Sequence, residues 1–110
     1  MKISDNAVNL LTALGYRGIG RKWVNDNLTG RPSVPEIVSR LSAKVPDAVE
    51  EEFLSRRASV LRRIEALGDA VDGVTGMGDD DFPAIAPGVK AADRPVALFY
   101  RGDLSLLDDR

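Results

Sequence analysis

The chain has 110 residues, 44% of them hydrophobic and 29% charged, with a formal net charge of −2. That is the length of one small domain, or of one small domain joined to part of another, and the composition is that of an ordinary globular protein rather than a disordered one. Cysteine and histidine are both absent, which excludes disulfides, a thiolate or imidazole zinc site, and Cys- or His-based catalysis. No apolar run approaches the roughly 20 residues of a membrane-spanning helix, and no continuous apolar stretch follows Lys2 as in a signal peptide. The expectation is a cytoplasmic protein with no membrane span.

The small net charge hides an asymmetry. Residues 1–44 carry seven bases (Lys2, Arg17, Arg21, Lys22, Arg31, Arg40, Lys44) and three acids (Asp5, Asp26, Glu36), a net +4, and the remaining 66 residues carry eight bases and fourteen acids, a net −6. If a polyanion binds, the first part is where it should bind. Uneven scatter of charge in short segments is the competing explanation.

In chain order, a first helix is expected from Ser4 or Asp5, either of which caps free N–H groups, to Gly15, with Val8, Leu11 and Leu14 on one face and Leu10 beside them. Tyr16 to Gly20 reads as a turn, with Tyr16 more exposed by position than the aromatic that follows in the next helix, though a core role applies to it as well. A second helix, about Arg21 to Leu28, carries Trp23, Val24 and Leu28, and Trp23 reads as a core residue. Thr29 to Pro32 forms a loop. Ser33 then caps a third helix, with Pro35 and Glu36 in its first turn and Glu36 at the capping-box position. Val34, Ile37, Val38, Leu41 and Val45 make its apolar stripe. Pro46-Asp47 opens the longest helix, to about Leu67, with Val49, Phe53, Val60, Leu61, Ile64 and Leu67 inward. Glu50, Glu51, Arg56, Arg57, Arg62 and Arg63 form its solvated face.

After Gly68 the pattern changes. Val71 to Met77 is a weak strand broken by glycines. Asp79-Asp80-Asp81 is read as a polar turn, because three consecutive carboxylates point in different directions and lack calcium-loop spacing. Ala84-Ile85, a Pro87-Gly88 turn and an extended Asp93-Arg94-Pro95 lead to Val96 to Tyr100. That almost continuous apolar run is expected of a strand buried on both faces of a parallel sheet. A turn at Arg101-Gly102-Asp103 and a short turn or helix at Leu104 to Leu107 follow. The fold class is thus mostly α with a small β part, divided as a helical domain (1–45), a connecting helix (46–67) and two short strands (68–110).

The stretch Val74-Thr75-Gly76-Met77-Gly78-Asp79-Asp80-Asp81-Phe82-Pro83-Ala84-Ile85, together with Arg94-Pro95-Val96-Ala97-Leu98-Phe99-Tyr100-Arg101-Gly102-Asp103-Leu104-Ser105-Leu106-Leu107, resembles the DNA-processing protein A family (DprA, also called Smf). The opening helices with Gly18-Ile19-Gly20 are similar to the helical domain, of sterile-alpha-motif (SAM-like) or helix-hairpin-helix type, with which that family commonly begins. The resemblance implies that residues 68–110 open an extended Rossmann-like domain. It implies a recombination mediator that binds single-stranded DNA during natural transformation and loads the RecA recombinase, with possible self-association. It implies no catalytic step and no cofactor. The family's Gly-Ser-Arg-type phosphate-binding turn follows the Gly-Asp-Leu segment and has no counterpart before Arg110, so no residue of it is carried over. The expectation is the N-terminal portion of such a protein. The alternatives are a helical protein–protein adaptor and a fragment of a nucleotide-processing Rossmann enzyme.

The candidate DNA-binding residues are Arg17, Gly18, Gly20, Arg21 and Lys22. Glycines let backbone N–H groups approach a phosphate, and the flanking bases add Coulomb attraction without reading sequence. The alternative is a tight interhelical turn in which Gly20 supplies a positive φ.

Overall fold

A computed structural model of the chain describes residues 1–83 and 95–101. The Ala84-Ile85 and Pro87-Gly88 readings, most of the Asp93-Arg94-Pro95 lead-in, and the Gly102 to Leu107 turn and helix lie outside the described residues. The elements are β1 (Lys2–Ile3), α1 (Asp5–Leu14), α2 (Arg21–Asn27), α3 (Val34–Ser42), α4 (Glu50–Glu65), a 3-10 turn (Gly68–Ala70), β2 (Gly73–Gly76) and β3 (Ala97–Tyr100). The described part is mostly helical, with one small mixed sheet.

The sheet has the order β1-β2-β3. Lys2 and Ile3 pair in parallel with Gly73 and Val74, so the four helices form the crossover between two parallel strands. β3 runs antiparallel to β2, with Gly73 opposite Tyr100 and Gly76 opposite Ala97. This corrects the sequence reading of a strand buried on both faces of a parallel sheet. Among the described residues β3 is an edge strand, and its Phe99 is 45% exposed. The doubly buried strand is β2, all four residues of which are buried. It carries two glycines and little apolar volume, so composition pointed to its more apolar neighbour. β1 was not expected at all, because two residues cannot display a period-two pattern.

α1 is the central helix. It packs against α2, α3, α4, β2 and β3. Seven of its ten residues are buried, including Asn6, Asn9 and Thr12, so it is covered nearly all round rather than on one face. Its ends are as expected: Ser4 accepts from the Ala7 N–H, and Gly15 follows the last turn. Thr12 donates its hydroxyl back to the Val8 carbonyl at 2.7 Å, which satisfies it within the helix. α3 also forms as read, with Ser33 and Glu36 in a reciprocal capping box and Ile37 and Leu41 fully buried.

α4 departs at both ends. Pro46-Asp47 forms a turn and the helix begins at Glu50 with Val49 as N-cap. Val49 and Leu67, both expected inward, are 53% and 41% exposed. Phe53 and Ile64 anchor the helix, with Val60 and Leu61 packed at the side. Its charged face is mostly solvated, but Arg57 leaves it. Arg57 Nε donates to Asn9 Oδ1 at 2.6 Å and Nη2 to Asp5 Oδ1 at 3.0 Å, tying α4 to α1.

Two hydrophobic clusters meet across α1. The larger joins Leu10, Ala13, Tyr16, Val24, Leu28, Ile37, Leu41 and Phe53 with Val96. The smaller joins Ala7, Val8, Ile64 and Val74 between α1, α4 and the sheet. Each large buried side chain contributes about 1.5–3 kcal/mol.

The close approach of α1 to β2 depends on Gly76. A Cβ there would stand 2.8 Å from Ala7 Cα and 2.9 Å from Ala7 N, both backbone atoms that cannot swing aside. Gly76→Ala is therefore expected to destabilise the fold by about 1–3 kcal/mol in urea unfolding, and an unchanged midpoint would refute this packing.

Candidate functional site

The α1–α2 turn presents the residues singled out in the sequence. Gly18 adopts φ +85°, and Gly20 is the N-cap of α2 in extended conformation at φ −111°, ψ 178°. The positive φ thus belongs to Gly18, not to Gly20, and Gly20 has nothing within 4 Å of a built Cβ. Ile19 between them is buried and donates its N–H to the Tyr16 carbonyl at 3.1 Å, which pins the turn to the core. Arg17, Gly18, Gly20, Arg21 and Lys22 are all exposed. Lys22 is paired with Asp26, one helical turn on, at 2.7 Å, an exposed pair of little energetic weight. Neither Arg17 nor Arg21 makes an ion pair with a described residue.

Two residues join this group through the tertiary structure. Gly20, Lys22, Trp23, Asp26, Asn27 and Lys44 line a shallow concavity of about 230 Å³. Trp23, read from sequence as core, packs against the larger cluster but remains half-buried. Lys44 follows α3, is exposed, and makes no ion pair with a described residue. Its distance in sequence from Lys22 gave no sign that the two line one surface. With Lys22 paired to Asp26 in the same lining, the arrangement places the indole beside the Lys44 ammonium, a combination that can stack an unpaired base and neutralise a phosphate.

Tyr16, placed by the sequence as more exposed than Trp23 with a core role as the alternative, is 3% exposed. Its ring stacks on Phe53 with centroids 6.3 Å apart, and the Arg56 guanidinium sits 4.1 Å above it. The phenol oxygen has no hydrogen-bond partner of good geometry. Burial, followed by the nearby Glu52 carboxylate, pushes its pKa up to about 12. Tyr16 is therefore a structural support beneath the turn rather than a ligand-facing group.

The three aspartates after β2 form a clamp. Asp79 Oδ2 accepts from Ser4 Oγ at 2.5 Å and from the Gly76 N–H at 2.8 Å, and its Oδ1 lies 3.5 Å from Arg31 Nε. Asp81 accepts from the Thr75 hydroxyl and lies 3.7 Å from Lys2 Nζ. Arg31 holds a left-handed backbone, φ 56°, beside Gly78 at φ +95°. These carboxylates are engaged by hydroxyls, amides and cations of the fold. Among the described residues there is no group of three or more acids that would hold a metal ion. No helix of the described residues is long and apolar enough to cross a membrane.

No protein-family model, curated protein or solved structure matches the chain.

Two outcomes are expected from this geometry. Because the folded phenol keeps its proton above the unfolded value of 10.0, stability is fully present below pH 10 and falls as the pH rises toward 12. Tyr16→Phe should flatten that decline in thermal melts recorded from pH 9 to 12, whereas an unchanged decline would assign it to other groups. Asp79→Ala, which strands Ser4, the Gly76 amide and Arg31, should cost about 1–3 kcal/mol by urea unfolding.

Proposed function

We propose that this chain is the N-terminal portion of a single-stranded-DNA-binding recombination mediator similar to the DNA-processing protein A family. Its helical part is a SAM-like or helix-hairpin-helix-like domain, and the sheet segment opens a Rossmann-like domain. RecA as partner, self-association and a cytoplasmic setting follow from the same resemblance. The observation that carries the reading is the half-buried Trp23 beside Lys22 and Lys44, next to a turn that exposes Arg17 and Arg21 without acidic partners among the described residues. Such a surface binds backbone phosphates through charge and bases through stacking, with little sequence preference. Its role is to hold a strand, not to transform it.

One observation favours a second reading, that of a protein–protein adaptor. Leu11, Val60, Ile64, Leu67 and Phe99, with Arg63, line an apolar concavity of about 530 Å³. An adaptor would bind a protein through this face and leave Trp23 untouched.

Trp23 is the sole tryptophan of the chain, so its emission reports the site directly. Oligodeoxythymidylate is expected to quench it, with log affinity falling linearly in log salt by about 0.7 per phosphate neutralised. Arg21→Ala combined with Lys44→Ala should lower both the affinity and that slope. Absence of quenching and of any mobility shift at low salt would remove the DNA-binding reading and leave the adaptor.

A further inference from the structure

α1 and α4 enclose another concavity, of about 240 Å³, lined by Thr12, Gly15, Arg56, Ser59, Val60 and Arg63. No acid is among these residues. Arg56, Ser59 and Arg63 stand at i, i+3 and i+7 of α4, a spacing that places them along one helical face. Arg56 is held in position: its Nε donates to Glu52 at 3.2 Å and its guanidinium covers the Tyr16 ring. Ser59 Oγ accepts from Arg62 Nη2 at 3.2 Å, which leaves the hydroxyl proton of Ser59 able to donate elsewhere. Arg63 makes no ion pair with a described residue. The groove therefore combines one guanidinium fixed in place, one without a partner, and a hydroxyl donor. A phosphodiester can accept from the Arg63 guanidinium and the Ser59 hydroxyl, while Arg56, paired with Glu52, forms the wall of the groove.

Its position relative to Trp23 gives the groove a use. Gly15 lines this groove and Gly20 lines the Trp23 concavity. Five residues of fully extended chain span at most about 18 Å, so Gly15 and Gly20 are no further apart than that. The exposed Arg17 sits on the chain between them.

We propose that the α1–α4 groove is a second phosphate subsite for a single strand already engaged at Trp23, with Arg17 bridging the two. The inference rests on the DNA-binding reading above and adds to it a path for the strand from Trp23 to the α1–α4 groove. The ligand is the phosphodiester backbone alone, and Arg63 is the residue on which the subsite turns.

The test uses the full chain, with Trp23 quenching by a short and a long oligodeoxythymidylate across a salt series. The wild type is expected to bind the long strand more tightly and with a steeper salt slope. Arg63→Ala should reduce the long-strand slope by about 0.7, the loss of one single-strand phosphate, and leave the short strand unchanged. Arg63→Lys should restore the slope, since charge rather than fork geometry sets it. Arg63 is exposed, and matching melting curves confirm that the variants fold. Equal long-strand affinity and slope in wild type and Arg63→Ala overturns the subsite while leaving the Trp23 site standing. Equal weakening of short and long strands also overturns it, because Arg63 would then belong to the first site. Absence of quenching by either strand removes both proposals.

Discussion

The fold turns on one carboxylate. Asp79 gathers the Ser4 hydroxyl, the Gly76 amide and the Arg31 guanidinium, and Ser4 in turn caps α1 by accepting from Ala7. A single side chain thus links the start of the central helix, the end of the central strand and the α2–α3 loop, three points far apart in the chain. Around a charge only 11% exposed at the side chain, loss of one partner leaves others unsatisfied, which makes the junction cooperative. With that end of α1 fixed against β2, the helix can be covered on nearly every side, and the two hydrophobic clusters meet across it.

The same geometry governs the surface. α1 ends over Tyr16, which is held by the Phe53 ring and the Arg56 guanidinium. The following turn must then project outward, carrying Arg17, Gly18, Gly20, Arg21 and Lys22 into solvent. The cations of α4 divide by the same logic. Arg57 is spent on holding α1, while Arg56 and Arg63 line the groove.

The apolar concavity at Leu67 and Phe99 shows what an edge strand leaves behind. β3 has a neighbour on one side only among the described residues, and its most apolar position stays near half exposed. Exposed apolar surface next to a strand edge is where further chain or a partner adds most readily.

What the sequence determined by itself was local. The caps at Ser4 and Ser33, the end of α1 at Gly15 and the apolar stripe of α3 follow from hydrogen bonds and side-chain spacings spanning a few residues, so they were legible without the fold. Of the candidate site, Arg17, Arg21 and Lys22 stood out in the sequence as bases flanking the Gly-Ile-Gly turn, and the structure shows them exposed. Tertiary structure decided the rest. It paired Lys2 and Ile3 with residues some seventy positions later, buried Tyr16, left Val49 and Leu67 outside, and set Lys44 beside Trp23. Each of these depends on which surfaces meet across α1, and no window of neighbouring residues contains that information.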